Sequence, residues 1–363
     1  MSNQKYWLGL SLVKQLGSVR IQNLISHFGT AENVWKASKR DLEQVNLPKR
    51  ALASLLECQK TMDLDAELSR LNKIGAHLVT LADSAYPTNL RTIVDPPVVL
   101  YVRGTLIPND ALSLGIVGTR RATRYGKDAS EKLSHWLASQ QVTIVSGMAL
   151  GIDQYAHIGA IKARGRTIAV LGSGIDILYP RENTALAHDI IENGAVISEF
   201  PLGTPPTGRN FPRRNRLLSG LSLGVLVVEA PLNSGALITA ESALEQGRDV
   251  FAVPSSIFNK MGQGTNKIIQ EGAKLVMDGR DVLDELNISY TNHVIKQKTT
   301  VIAPSNSTEE TVLTTLDIEP IHIDEIVRQT GLATHTVSST LAILELKGLA
   351  QMVGGMQYCR TRT

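Results

Sequence analysis

The chain has 363 residues, 43% of them hydrophobic and 20% charged, which favours two or three folded domains over general disorder. A net charge of +3 is too mild to establish nucleic-acid binding by bulk charge, so the placement of the arginines carries that question. Cys58 and Cys359 match neither a metal spacing nor a disulfide framework, and neither a signal-peptide pattern nor a run of 18 apolar residues occurs. A reducing, cytoplasmic setting without membrane insertion is expected.

Residues 4–71 read as helices, because apolar residues recur every three or four positions through Leu8, Leu12 and Leu16, then Ile21, Leu24 and Ile25, then Leu52, Leu55 and Leu56. The turn Leu16-Gly17-Ser18-Val19-Arg20-Ile21 partly matches a helix-hairpin-helix turn, whose amides can meet a phosphate. It holds one glycine only, and a packed turn in a small helical domain is the plainer reading. An N-terminal all-helical domain, SAM-like or helix-hairpin-helix-like, is expected over 1–80. Residues 81–110 read as a connector, since Pro87, Pro96 and Pro97 each disfavour helix at the preceding residue, with a short strand over 98–103.

From residue 112 to 286 the texture changes: short Val- and Ile-rich runs alternate with amphipathic stretches, as in a parallel sheet covered on both faces by helices. The strands are expected at 113–117, 142–146, 167–171, 195–198, 224–229 and 250–253. The helices are expected at 125–139, 153–163, 184–193, 215–219 and 235–247. The fold class is therefore α/β, a Rossmann-like parallel-sheet core over 111–287. A polar linker over 288–307 and a winged helix over 308–363 follow, the latter from three short helices (309–316, 323–330, 334–346) and a hairpin turning at Gly354-Gly355.

In open parallel sheets ligands bind beyond the carboxyl ends of the strands. The first strand runs into Gly118-Thr119-Arg120-Arg121, where Gly118 permits a turn that bares amides to an anion and the two arginines add charge-assisted hydrogen bonds. Neither a dinucleotide fingerprint nor a P-loop is present, since Gly126-Lys127 is followed by Asp128. The second strand ends in Ser146-Gly147, with Asp153 four residues before His157; a helix cap beside a structural histidine, or an acid/base pair, would account for these two. Gly172-Ser173-Gly174 after the third strand either turns the chain sharply or lines the same cleft. The segment from Arg209 to Gly220 sets Phe211, Arg213, Arg214, Asn215 and Arg216 together, a set that can bridge phosphates and stack a base. Pairing of Arg214 or Arg216 with Glu199 or Glu229 is the alternative. Ser234-Gly235 opens a helix and can seat a phosphate or simply cap it; Gly262-Gln263-Gly264-Thr265-Asn266 repeats the pattern.

Together, Gly118-Thr119-Arg120, Ser146-Gly147-x-Ala149-x-Gly151-Ile152-Asp153-x-x-Ala156-His157, residues 167–172, Tyr179-Pro180, Phe211-Pro212-Arg213-Arg214-Asn215-Arg216 and Ser234-Gly235-Ala236-Leu237-x-Thr239-Ala240 resemble the bacterial DNA-processing DprA (Smf) family. The resemblance implies a protein that binds single-stranded DNA entering during natural transformation, protects it and loads RecA recombinase, working as a homodimer through its Rossmann domain. It also implies that Gly118, Arg120, Ser146, Gly147, Arg213, Asn215 and Arg216 face a phosphate pocket with Phe211 near a base. No catalytic set, metal or cofactor is expected. A phosphoribohydrolase-like nucleotide enzyme is the alternative, but its Pro-Gly-Gly-x-Gly-Thr stretch is replaced here by residues 233–239, with Glu241 nearby. The winged helix departs from a DNA reader: residues 309–363 hold seven acids and four bases, and the third helix has His335 but no Lys or Arg before Lys347.

Overall fold

The computed structural model describes residues 3–289 and 306–361, so most of the expected linker lies outside the described residues. The chain divides near residue 291 into two compact units. The first begins with six helices, α1 (Gln4–Leu12), α2 (Ser18–Phe28), α3 (Ala31–Lys36), α4 (Lys39–Glu43), α5 (Lys49–Thr61) and α6 (Leu64–Lys73). Side chains start three of them: Thr30 caps α3, Ser38 and Asp41 form a reciprocal capping box on α4, and Asp63 caps α6. Each satisfies amides that a helix start leaves without partners.

These helices do not stand apart from the sheet. Leu8, Leu10, Ile21, Leu24 and Leu55 share one hydrophobic core with Leu78, Val99, Tyr101, Leu171 and Ile190. The reason is β1 (His77–Thr80), which follows α6 after a three-residue break and pairs antiparallel with β2 (Val99–Gly104), Leu78 opposite Tyr101. The stretch expected as a connector thus supplies an internal strand of the sheet. It is fastened by α7 (Thr88–Arg91), by the buried Tyr86, whose hydroxyl donates to the Pro97 carbonyl at 2.8 Å, and by the Asn89 amide, which donates to the carbonyls of Ala111 and Leu221. The prolines keep helix from the residues just before them, but 88–90, expected as extended connection, turn into α7 directly after Pro87, and burial of the intervening apolar residues decided the pairing.

The remaining elements of the first unit are β3 (Ser113–Val117), α8 (Arg124–Ser139), β4 (Thr143–Ser146), α9 (Ile152–Lys162), β5 (Thr167–Val170), α10 (Thr184–Asn193), β6 (Gly194–Ser198), α11 (Asn210–Leu221), β7 (Gly224–Val227), α12 (Gly235–Glu245), β8 (Asp249–Ala252), α13 (Gln263–Gln270), β9 (Lys274–Leu275) and α14 (Gly279–Glu285). Nine strands form one sheet in the order β1-β2-β6-β5-β4-β3-β7-β8-β9, parallel from β6 to β9. After β3 the chain winds outward through β4, β5 and β6. It then returns to the other side of β3 for β7, β8 and β9, which makes the β3/β7 boundary the switch point of the sheet. Central strands are buried on both faces, which is why they read as continuous Val/Ile runs.

The second unit holds α15 (Ser307–Thr315), β10 (Ile321–His322), α16 (Ile323–Thr330), α17 (Thr334–Leu346), β11 (Ala350–Gly354) and β12 (Gln357–Arg360) around a core of Val312, Leu313, Ile326, Val337, Leu341 and Leu344. The short β10 pairs with β12 and completes a three-stranded wing. The hairpin turns one residue later than expected. Gly354 still pairs with Gln357, and Gly355 and Met356 form the turn, both at positive φ.

A shared core predicts shared stability. Leu10→Ala removes a fully buried side chain at the helix–sheet boundary and is expected to cost about 2–5 kcal/mol. In urea unfolding of the full chain the whole transition of the first unit should move; a shift confined to the N-terminal helices would contradict the shared core.

Candidate nucleic-acid interface

The main cleft of the first unit opens at the switch point, with a volume of about 360 Å³. The loop after β3 supplies one wall (Gly118, Thr119, Arg120, Arg121), the loop after β7 and the start of α12 supply the opposite one (Asn233, Ser234, Gly235), and α11 closes it with Phe211, Arg214, Asn215 and Leu218. Glu229, at the end of the β7 segment, holds two of these parts together. Its buried carboxylate accepts from the Thr123 amide at 2.8 Å and hydroxyl at 2.7 Å and from the Asn259 amide at 3.3 Å, while its carbonyl accepts from the Thr119 amide at 2.7 Å.

Gly118 is required by close approach, not by an unusual turn: a Cβ there would lie 2.4 Å from the Ile152 side chain and 2.8 Å from the Glu229 carbonyl. Beyond it Arg120 and Arg121 are exposed, and neither has an ion pair among the described residues. The Arg120 guanidinium rests over the Phe211 ring, 5.0 Å from its centroid. On the other wall the Ser234 hydroxyl accepts from the Ala236 amide at 3.3 Å, so the serine caps α12 as one reading had it, and the helix start with Gly235 lines the cleft as the other had it.

Helix α11 starts five residues earlier than the pattern indicates. Pro212 stops no helix here because it sits in the first turn, where its missing amide hydrogen has no intrahelical acceptor to lose. A helix over these positions sorts the expected cluster by face. Phe211, Arg214, Asn215 and Leu218 line the cleft. Arg213 and Arg216 point into a separate groove of about 220 Å³ bordered by Gly17 and Ser18 of the N-terminal helices and by Asp95 and Glu199. There Arg216 is spent on an ion pair with Glu199 at 2.5 Å and on the Asp95 carbonyl at 2.8 Å, and Arg213, 64% exposed, lies 3.7 Å from the same Glu199. Burial raises the Glu199 carboxyl above the usual carboxylate range, with Arg216 and Arg213 opposing. The expectation that Arg213 and Arg216 share the phosphate pocket with Arg120 is therefore corrected.

Ser146 is likewise withdrawn from the cleft. Its hydroxyl donates to the Ile116 carbonyl at 2.6 Å and ties β4 to β3 in the interior. Gly147 matters for a different reason: an added Cβ would fall 1.7 Å from Nη1 of Arg214. Only a glycine lets that guanidinium lie against the backbone.

Of the two arginines for which pairing with Glu199 or Glu229 is the alternative, Arg216 pairs with Glu199 and Arg214 with neither. Arg214 is buried beneath the cleft, Nη1 donates to the Val170 carbonyl at 2.8 Å, and Nε has no hydrogen-bond partner among the described residues. Burial pulls its pKa below the usual arginine value, with Asp153 opposing. Arginine nevertheless keeps its charge in proteins, so the floor of the cleft is positive. Asp153 is buried too, and burial raises its carboxyl while Arg214 and the Ala149 amide, 3.3 Å away, lower it. It lies inside the first turn of α9, after Gly151, and does not cap that helix.

His157 is structural: Nδ1 meets the Thr167 hydroxyl at 2.6 Å, Nε2 is buried without a partner among the described residues, and the side chain lies outside the cleft lining. Among the described residues no group of acids, histidines and cysteines could hold a metal ion. The glycines after β5 and the start of α13 do not line the cleft either.

The fold and the site define a Rossmann-type protein with a basic cleft at its switch point, joined in sequence to a winged-helix unit. The chain belongs to the DNA recombination-mediator protein A family, whose profile matches residues 77–287; that of the DprA winged helix domain matches residues 296–356. It is 35% identical to Protein Smf of Synechocystis over 394 residues, covering 99% of each chain, and 36% identical to Protein Smf of Escherichia coli over 346 residues, covering 90% of each. Among solved structures it resembles DprA of Streptococcus pneumoniae (TM-score 0.68, 34% identity, 80% of this chain and 99% of that one). It also resembles DNA processing protein A of Helicobacter pylori, a structure reported for that protein's single-stranded DNA binding mode (TM-score 0.53, 31% identity, 59% and 98%).

Burial of His157 has a pH consequence. Desolvation, with Arg214 adding to it, depresses the imidazole from 6.5 to about 3, so the folded protein holds it neutral. Between those values the unfolded chain binds a proton that the folded chain refuses, and stability falls as pH drops, by up to about 1.4 kcal/mol per pH unit. Urea unfolding between pH 6 and pH 4 should lose stability more steeply for the native protein than for His157→Asn. Parallel slopes would contradict the assignment.

Proposed function

We propose that this protein grips the backbone of single-stranded DNA in the switch-point cleft, protects strands entering during natural transformation and delivers them to RecA recombinase. The observation that carries the reading is the charge arrangement of the cleft. Two exposed arginines stand over a buried one, beside the amides of a helix start, and no cofactor fingerprint accompanies them. A polyanion fits such a surface better than a single compact ligand does, because Arg120 and Arg121 lie at the rim and Arg214 at the floor. Bases remain largely unread, and affinity is electrostatic.

Membership in a family of recombination mediators supports the delivery to RecA and the role in transformation. The single-stranded DNA binding mode of the Helicobacter pylori relative supports the choice of ligand. Homodimerisation through the Rossmann domain and a cytoplasmic setting belong to the same proposal. No helix among the described residues is long and apolar enough to cross a membrane.

The protein acts without catalysis in this reading. Asp153 is the acid among the cleft residues, and it is buried beside Arg214 and bonded by the Ala149 amide. Glu241, the residue a phosphoribohydrolase-like reading would use, is exposed on α12 and lies outside the lining. The winged helix is not the duplex reader: the Lys347 ammonium at the end of α17 is held by Glu309 at 2.6 Å, and the helix itself carries no lysine or arginine.

Arg120→Ala is expected to weaken binding of a thymidine oligonucleotide and to flatten the plot of log affinity against log salt by about 0.7, the loss of one phosphate contact on a single strand. Arg213→Ala, which alters the other groove, should leave that slope unchanged. Fluorescence anisotropy over a salt series checks both; the reverse pattern would move the grip to the groove beside Gly17.

A further inference from the structure

The loop over 253–262 joins β8 to α13 on the same edge of the sheet as the cleft, one strand beyond the loop after β7. It is braced from several sides. The Tyr125 hydroxyl, in the first turn of α8, donates to the Pro254 carbonyl at 2.9 Å, and the Asn266 side chain accepts from the Ser255 amide at 3.0 Å and donates to its carbonyl at 2.9 Å. The Asn259 side-chain amide donates to the Ser255 hydroxyl at 3.1 Å and to the Glu229 carboxylate at 3.3 Å. That carboxylate also holds Thr123, so the loop is tied to the cleft wall that carries Arg120 and Arg121. Between these fastenings Ile257 and Phe258 stand in water, 76% and 89% exposed. Burying a phenylalanine is among the larger gains open to a fold, and a braced loop holds this one out.

Phe258 lies outside the cleft lining. It is also on the other side of the cleft from Phe211, whose ring rests against Gly172 after β5, where an added Cβ would come within 3.0 Å of it. The strand order β5-β4-β3-β7-β8 sets the cleft between the two phenylalanines. A strand held in the cleft leaves it over one rim or the other, and on the β7 side the loop after β8 is the next surface it meets. Lys260, two residues after Phe258, is exposed and makes no ion pair among the described residues, so the loop offers a cation beside its apolar tip. An aromatic face with a cation near it suits a base and its phosphate. From this placement, and resting on the single-stranded DNA reading above, we propose that Phe258 is a stacking platform for a base of the strand after it has left the cleft, with Ile257 extending the apolar surface. The platform lengthens the stretch of strand held by each protein and leaves the grip on the phosphates unchanged. Stacking uses a face that every base has, so the contact reads no sequence.

Phe258 is exposed enough that its removal leaves the core intact. The test compares two strands of equal length and charge, a thymidine oligonucleotide and one whose sugars carry no bases. Phe258→Ala should weaken binding of the thymidine strand by about 5- to 100-fold, the range for loss of one base–aromatic stack, and leave the abasic strand bound as by the native protein. The salt dependence for both strands should stay as in the native protein, because no phosphate contact is lost. Phe258→Trp, which offers a larger ring, should hold the thymidine strand at least as tightly as the native protein. If Phe258→Ala binds the thymidine strand as the native protein does, or loses both strands equally, the loop is no platform. Sedimentation without DNA checks the other occupant of an apolar tip: self-association of the native protein that Phe258→Ala abolishes would make the tip a contact between protein copies and overturn the proposal. Native protein that held neither strand would overturn the single-stranded DNA reading itself.

Discussion

The buried guanidinium of Arg214 is the constraint around which the cleft is arranged. A charge below the surface needs an acceptor, a counter-charge and room, and the fold supplies them from two strand ends and a helix start: the Val170 carbonyl at the end of β5, the Asp153 carboxylate in the first turn of α9, and the space left by the missing Cβ of Gly147 after β4. Among the described residues Arg214 makes no ion pair within 4 Å, so Asp153 offsets its charge only at longer range, and the guanidinium lines the cleft. The low polarisability of the interior strengthens its field over what a surface arginine would provide. The exposed Arg120 and Arg121 then add charge at the rim of the cleft, and α12 adds the amides of its first turn.

The same helix that places Arg214 also explains why the basic cluster is divided. Four residues from Phe211 to Leu218, at spacings of three and four, face the cleft, and Arg213 and Arg216 face the N-terminal helices. Arg216 fastens the helical layer to the sheet layer through Glu199 and Asp95. Its work is architectural. Sequence proximity placed these arginines in one group; helical geometry gave them two different tasks.

Much of the architecture was legible in the residues. Parallel strands buried on both faces leave Val- and Ile-rich runs that local pattern detects, and the β3, β7 and α12 ends were located closely enough to place Gly118, Arg120, Arg121, Ser234 and Gly235 at one cleft. What local pattern could not show was non-local pairing. The four residues of β1 and the proline-flanked β2 become strands because β1 pairs with β2 and β2 with β6, and α13, β9 and α14 were passed over because each is at most eight residues long. The roles of Ser146 and Arg214 were exchanged for a related reason, since a hydroxyl near a strand end and an arginine in a basic run give no sign of which is turned inward. The one available signal was the recurrence of 211, 214, 215 and 218, which becomes readable once Pro212 is allowed in a first turn.

The proposed grip on a single strand's backbone by arginines at the rim and floor of the cleft predicts a preference for single strands over duplex and an affinity that depends steeply on salt. The direct measurement is a salt-titrated binding comparison of the native protein with a single-stranded oligonucleotide and the duplex of the same length. Tight, strongly salt-dependent binding to the single strand and markedly weaker binding to the duplex is the predicted result. Duplex binding as tight as single-strand binding, or single-strand binding indifferent to salt, would contradict it.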